Sequence, residues 1–133
     1  LGGVHDPDGQ SIFLARTLIA NAAKANNIVP IDTVHIDVHN LDHLEKNLIL
    51  AKNIGFEGML ILHPKEIEIA HKYFSPTPEE IDDANEMINL YKESVNEGKG
   101  VTLKAGKFIG PPMVAYAEKI IAKAELINMK NKS

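Results

Sequence analysis

The stretch MLILHP, residues 59–64, sets the architecture. Five residues from Met59 to His63 form an apolar run that closes on a histidine, with a proline behind it. A run this short, apolar on both alternating faces, predicts a strand buried on both sides, as in a parallel sheet. Upstream, Leu41, Leu44, Leu48 and Ala51 recur at helical spacing, with Asn40 placed to cap the helix and Gly55 to stop it. Before that, IVPIDTVHI, residues 28–36, is rich in β-branched residues but interrupted by Pro30, which predicts a strand starting near Ile31. Ile12, Ala15, Ile19, Ala22 and Ala23 predict a first helix over about residues 8–26.

Downstream, Pro64 suits a first helical position, and Ile67, Ala70 and Phe74 share a face behind it. In SPTPEE, Thr77, Pro78 and Glu80 spell a capping box for a long helix with its stripe on Ile81, Ala84, Ile88, Tyr91 and Val95. GKGVTLKAGKFI then predicts a small hairpin turning near Ala105-Gly106. Pro111-Pro112 opens a last helix buried along Val114, Ala117, Ile121 and Ala124. Alternating strands and helices argue for a parallel α/β fold. Two strands do not make a stable parallel sheet, so these residues read as part of a barrel or as a chain lacking some of its strands. The one boundary falls at SPTP.

The 133 residues, 44% hydrophobic and 24% charged, suit one domain with a sizeable core. A net charge of −4 without a basic block argues against nucleic acid or an anionic membrane as partner. There is no cysteine, which removes disulfides, thiolate metal sites and a cysteine nucleophile. With no apolar run of transmembrane length and no signal peptide, a cytoplasmic location is expected.

Three stretches carry candidate chemistry. In HIDVHNLDH, residues 35–43, strand alternation would set His35, Asp37 and His39 on one side, where they could hold a divalent ion. The alternative is a polar strand end feeding a capped helix, with Asp42 complementing the helix dipole and His43 pointing away. His63 closes a strand where parallel α/β folds place ligand crevices, or else it caps the next helix. Asp32, in an apolar strand, needs a partner to tolerate burial, and that partner is a backbone group, an arginine or a ligand. GKFIGPP, residues 106–112, matches no phosphate-cradling loop. Lys104 and Lys107 beside it could meet an anion.

The ordered set IDTV, GFEG, LHP and FSPTPEE, with GKGVTLKAGKFI behind it, resembles the citrate lyase β-subunit family, from about Ala15 to Ala124. This family lies within the HpcH/HpaI-type aldolase superfamily that also holds malyl-CoA lyases. The resemblance implies the C-terminal portion of a (β/α)8 TIM barrel over residues 1–75 and a helix–hairpin–helix appendage over 76–133. It implies a carbon–carbon lyase acting on a coenzyme A or acyl-carrier thioester. Its partners would be a small-molecule thioester and copies of itself, as a trimer or a multiple of one, or a citrate lyase-type complex. It further implies magnesium as Lewis acid, held by a glutamate and an aspartate on earlier strands that this chain does not carry. The histidine cluster is then a polar rim, and no metal ligand is assigned to it. On the same ground, Asp32, Leu62, His63 and Pro64 are expected to line the thioester side of the pocket. Phe108 and Ile109 are expected to form a lid presented to an adjacent subunit.

The departures matter. A full barrel needs about 250 residues, so a fragment, or the ordered part of a longer chain, is expected and should be inactive alone. LGGV resembles a Leu-Gly-Gly-x-Asp segment in which the aspartate binds metal, but His5 stands there, and the junction after Val4 could hide missing sequence. Met59 replaces a frequent lysine. Gly110 stands where relatives carry a lid aspartate that transfers a proton, which glycine cannot do. The alternative is therefore a non-catalytic thioester-binding or assembly subunit.

Overall fold

The computed structural model describes residues 9–130. The chain divides into two compact units, Leu1–Phe74 and Ser75–Ser133, and each has its own packing.

The first unit runs α1 (Gln10–Ala25), β1 (Ile31–Asp32), α2 (Leu41–Ile54), β2 (Gly58–Met59) and α3 (Lys65–Phe74). The strands pair in parallel, Ile31 opposite Gly58 and Asp32 opposite Met59. Helix α2 follows its sequence signals. Asn40 accepts the N–H of His43, and Gly55, with φ at 105°, takes the left-handed conformation in which its own N–H is shared between the Ala51 and Lys52 carbonyls. Its buried face carries Leu44, Leu48 and Ala51. Leu44 and Leu48 pack on Ala70 of α3, while Ala51 meets Ala20 of α1 and Phe56.

Several expectations need correcting. The apolar run 59–63 is no buried strand. β2 ends at Met59, and Leu60 and Leu62 stand more than half exposed. The physical reason is that the run needs cover on both faces, and among the described residues the pair β1–β2 has no third strand beside it. Strand β1 likewise stops at Asp32, before the histidine segment. On α1 the buried residues are Arg16 and Ala20, while Ile19 is exposed. An arginine with a buried partner outcompetes the apolar stripe.

The second unit runs α4 (Pro78–Asn96), β3 (Thr102–Lys104), β4 (Lys107–Ile109) and α5 (Pro111–Lys130). The capping box forms in full. Thr77 accepts the Glu80 N–H at 3.1 Å, and Glu80 accepts the Thr77 N–H at 2.9 Å. Thr77→Ala should therefore cost about 1 kcal/mol, read as a lower urea midpoint. The antiparallel hairpin turns on Ala105 and Gly106, at φ 47° and 77°, the pair of left-handed residues that a tight hairpin demands. Val95 is exposed, and its neighbour Ser94 is buried in its place, with its hydroxyl 2.6 Å from the Val101 carbonyl and 3.1 Å from that of Lys99. Ser94 thus fastens the loop that leads into β3. Lys104 is not available to an anion. It bonds Asp83 at 2.9 Å and Glu86 at 3.0 Å, and these carboxylates raise its pKa above the ordinary lysine value.

Candidate functional site

Asp32 is the centre of the first unit's polar chemistry. It closes β1, and only 5% of it is exposed. The Arg16 guanidinium meets it as a fork: Nε donates to Oδ1 at 3.2 Å, and Nη2 donates to Oδ2. Oδ1 also accepts the Thr33 N–H at 2.9 Å. Of the partners open to Asp32 in the sequence, arginine and backbone are both realised. The fork fixes α1 against the end of the strand and neutralises a carboxylate that burial alone would penalise.

Beyond Asp32 the chain turns over a cavity of about 530 Å³, lined among others by Asp32, His35, Asp37, His43, Lys46 and Asn47. His35 is 5% exposed, whereas Asp37 and His39 face solvent. With no strand beyond Asp32, alternation does not gather the three, and among the described residues no three His, Asp or Glu side chains converge as metal ligands. His43 does not point away. Its ring meets that of His35 edge-on, with centroids 5.2 Å apart and planes at 63°. Asn47, one turn further along α2, lies 3.3 Å from His35 Nδ1. The described residues therefore do not compose a magnesium site.

Leu62, His63 and Pro64 form the approach to α3. Leu62 and Pro64 are exposed and His63 is half-buried. His63 Nδ1 accepts the Lys65 N–H at 3.2 Å, so the capping role is realised. The residue that sequence reading missed is Glu66. It is fully buried, and its Oε2 accepts the N–H groups of Leu62 and His63 at 3.0 and 3.2 Å. One carboxylate thus holds the backbone of the candidate strip in place. The signal was available: a glutamate three residues after His63 is the reaching half of a capping box.

In the second unit Phe108 is exposed at 57% and Ile109 is buried at 1%, so the inner residue anchors the hairpin and the outer one is presented. Gly110 is buried, and a Cβ there would lie 2.7 Å from Phe108 Cε1. The phenyl ring occupies the space that a side chain at position 110 would need. His5 and the Leu-Gly-Gly segment lie outside the described residues, as does the junction after Val4.

Comparison with known proteins bears out the kinship expected from the motifs. Residues 1–64 match the family model of HpcH/HpaI aldolase/citrate lyase. The chain is 32% identical over 121 residues to citrate lyase subunit beta of Haemophilus influenzae, covering 91% of this chain and 42% of that protein. It is 35% identical over 130 residues to mitochondrial citramalyl-CoA lyase of Mus musculus, covering 98% of this chain and 38% of that protein. Among solved structures, CitE from Mycobacterium tuberculosis, crystallised with magnesium, acetoacetate and coenzyme A, superposes with a TM-score of 0.72 at 22% identity, over 93% of this chain and 43% of that one. The shared fold is α/β with mostly helices. The chain spans about two-fifths of the length of these relatives. Among the described residues no helix is long and apolar enough to cross a membrane.

Proposed function

Since this chain is a relative of the citrate lyase β-subunits and citramalyl-CoA lyases, we propose that its protein is a carbon–carbon lyase acting on a coenzyme A or acyl-carrier thioester. The observation that carries this is the length of the match: 91% and 98% of the chain align with relatives named for that chemistry. In this reading residues 1–75 supply the last βα units of a (β/α)8 barrel, and residues 76–133 form its helix–hairpin–helix appendage. Parallel β1–β2, with helices before, between and after them, is the repeating unit that such a barrel uses.

Asp32 and the strip Leu62–His63–Pro64 stand at the C-terminal ends of β1 and β2, the end where barrels build their sites. Arg16 and Glu66 hold them there from behind. The Leu62 side chain offers an apolar wall to the thioester arm, and the half-buried His63 ring sits beside it. Phe108, presented by the hairpin and anchored by Ile109, is the lid residue for an adjacent subunit in a trimer or a multiple of one. Bond cleavage releases an oxo acid and a thioester enolate, and the enolate must be stabilised and then protonated. Magnesium is the proposed metal, with carboxylate ligands on strands other than β1 and β2. A cytoplasmic location accompanies this reading.

Gly110 favours a second reading, that of a thioester-binding or assembly subunit without proton transfer. The two readings part in one assay on the intact protein, magnesium-dependent cleavage of citramalyl-CoA and malyl-CoA. Under the second reading the wild type binds thioester without turnover. Gly110→Asp with Phe108→Ala, which vacates that space, should raise turnover at least about tenfold above the assay background, a modest share of what a positioned proton donor contributes. Gly110→Asp alone must first push the exposed Phe108 ring aside, so its gain should be the smaller of the two. Wild-type turnover sinks the second reading and supports the first.

A further inference from the structure

The hairpin of the second unit is held by different forces at its two ends. At the base, Ile109 is buried, and the Ser94 hydroxyl meets the Lys99 and Val101 carbonyls that lead into β3. At the tip, Ala105 and Gly106 are exposed. Lys104, beside that turn, is the one residue of β3 and β4 in an ion pair among the described residues. Two strands of three residues each form a ribbon too short to be stable by itself. Where the ribbon points therefore depends on what its tip rests on.

The tip rests on α4. Asp83 and Glu86 are three residues apart and so neighbours on one helix face. Lys104 Nζ donates to Asp83 at 2.9 Å and meets Glu86 at 3.0 Å. The lysine side chain is 22% exposed against 66% and 58% for the two carboxylates, so it is the enclosed member of the trio. The hydrogen bonds to Asp83 and then Glu86 raise its pKa above the ordinary lysine value, and it stays charged through the neutral range. Directly across the ribbon stands Lys107, exposed and without an acidic partner among the described residues. Like charges in opposed positions weaken a ribbon, and Asp83 and Glu86 offset that repulsion. The next opposed pair, Leu103 and Phe108, falls on the other face by alternation, and both are more than half exposed.

We infer that Lys104 is a positioning residue, which latches the hairpin tip to α4 and so sets the direction in which Leu103 and Phe108 are presented. The inference rests on the reading of Phe108 as lid. It adds Leu103 as a second lid side chain and ionic strength as a control. Each exposed bridge contributes little alone, so the latch yields to salt, whereas the apolar base at Ile109 does not. Salt then lets the ribbon swing about its base without unfolding the helices.

The test is hydrogen exchange across residues 102–109 of the intact protein, at about 0.01 M and about 1 M sodium chloride, which span the range from weak to nearly complete screening. Wild-type exchange should quicken about fivefold at high salt, the combined effect of two weak bridges, while exchange in α5 holds steady. Lys104→Met keeps much of the stem without the charge. It should exchange fast at low salt and lose the salt response, and Lys104→Arg should restore both. Asp83→Asn with Glu86→Gln leaves Lys104 facing Lys107 and should exchange faster still. Acetyl-CoA titrated into the same proteins reads the lid: Lys104→Met should bind about threefold more weakly, and Lys104→Arg as the wild type does. The inference is overturned if wild-type exchange ignores salt or if Lys104→Met keeps wild-type exchange. It is also overturned if exchange quickens in Lys104→Met while its acetyl-CoA affinity is unchanged, and the thioester reading then stands. If the wild type binds no acetyl-CoA, the thioester reading falls, and exchange alone decides the latch.

Discussion

Arg16→Met will lower the stability of the unit that contains it by about 3–5 kcal/mol, the cost of stranding one partner of a buried ion pair. The reasoning starts from burial. Asp32 and Arg16 are both almost wholly enclosed, and the guanidinium answers both carboxylate oxygens. Methionine replaces much of the arginine stem but removes both guanidinium donors from the carboxylate, which keeps the Thr33 N–H. The double variant Arg16→Met with Asp32→Leu removes both charges and should recover most of the loss, because an apolar pair of similar volume often matches a buried ion pair. Urea unfolding of the two variants beside the wild type measures both effects. A single-variant loss below about 1 kcal/mol would mean that the pair behaves like a surface bridge and does not anchor α1 to β1.

Glu66→Ala should be the next largest effect, a loss of about 2–4 kcal/mol, since the Leu62 and His63 N–H groups lose their acceptor together. The Leu62–Pro64 strip should also loosen. Hydrogen exchange at the Leu62 and His63 amides is the direct readout, and it should quicken far more than exchange at the capped amides of α4. If these amides keep wild-type protection in a folded Glu66→Ala chain, the carboxylate does not hold the strip.

Much of the fold could be read from the sequence because its signals are local. The Thr77–Glu80 box, the Asn40 cap, the Gly55 stop and the Ala105-Gly106 turn each depend on a few neighbouring residues, and each forms as the sequence predicts. Illegible were the features that depend on partners far along the chain. Arg16 finds Asp32 across sixteen residues, and nothing in the apolar stripe of α1 announces that the polar residue, not Ile19, turns inward. The run 59–63 carries the composition of a buried strand, yet burial is a property of the layers around it, and the described residues do not supply them. His43 was misread for a related reason. A place inside α2 predicts a side chain turned away, yet the path of the chain between Asp32, where β1 ends, and α2 brings the His35 ring back against it.

Recognition of a thioester by these residues is open to one decisive titration, acetyl-CoA added calorimetrically to the intact protein, beside its His63→Ala variant. His63 caps α3 through Nδ1, so the variant should lose only about 1 kcal/mol of stability and keep its circular dichroism spectrum. The wild type should bind saturably and the folded variant about tenfold more weakly, the effect of one lost contact in the pocket. No binding by the wild type, or equal affinity in a folded His63→Ala chain, would contradict it.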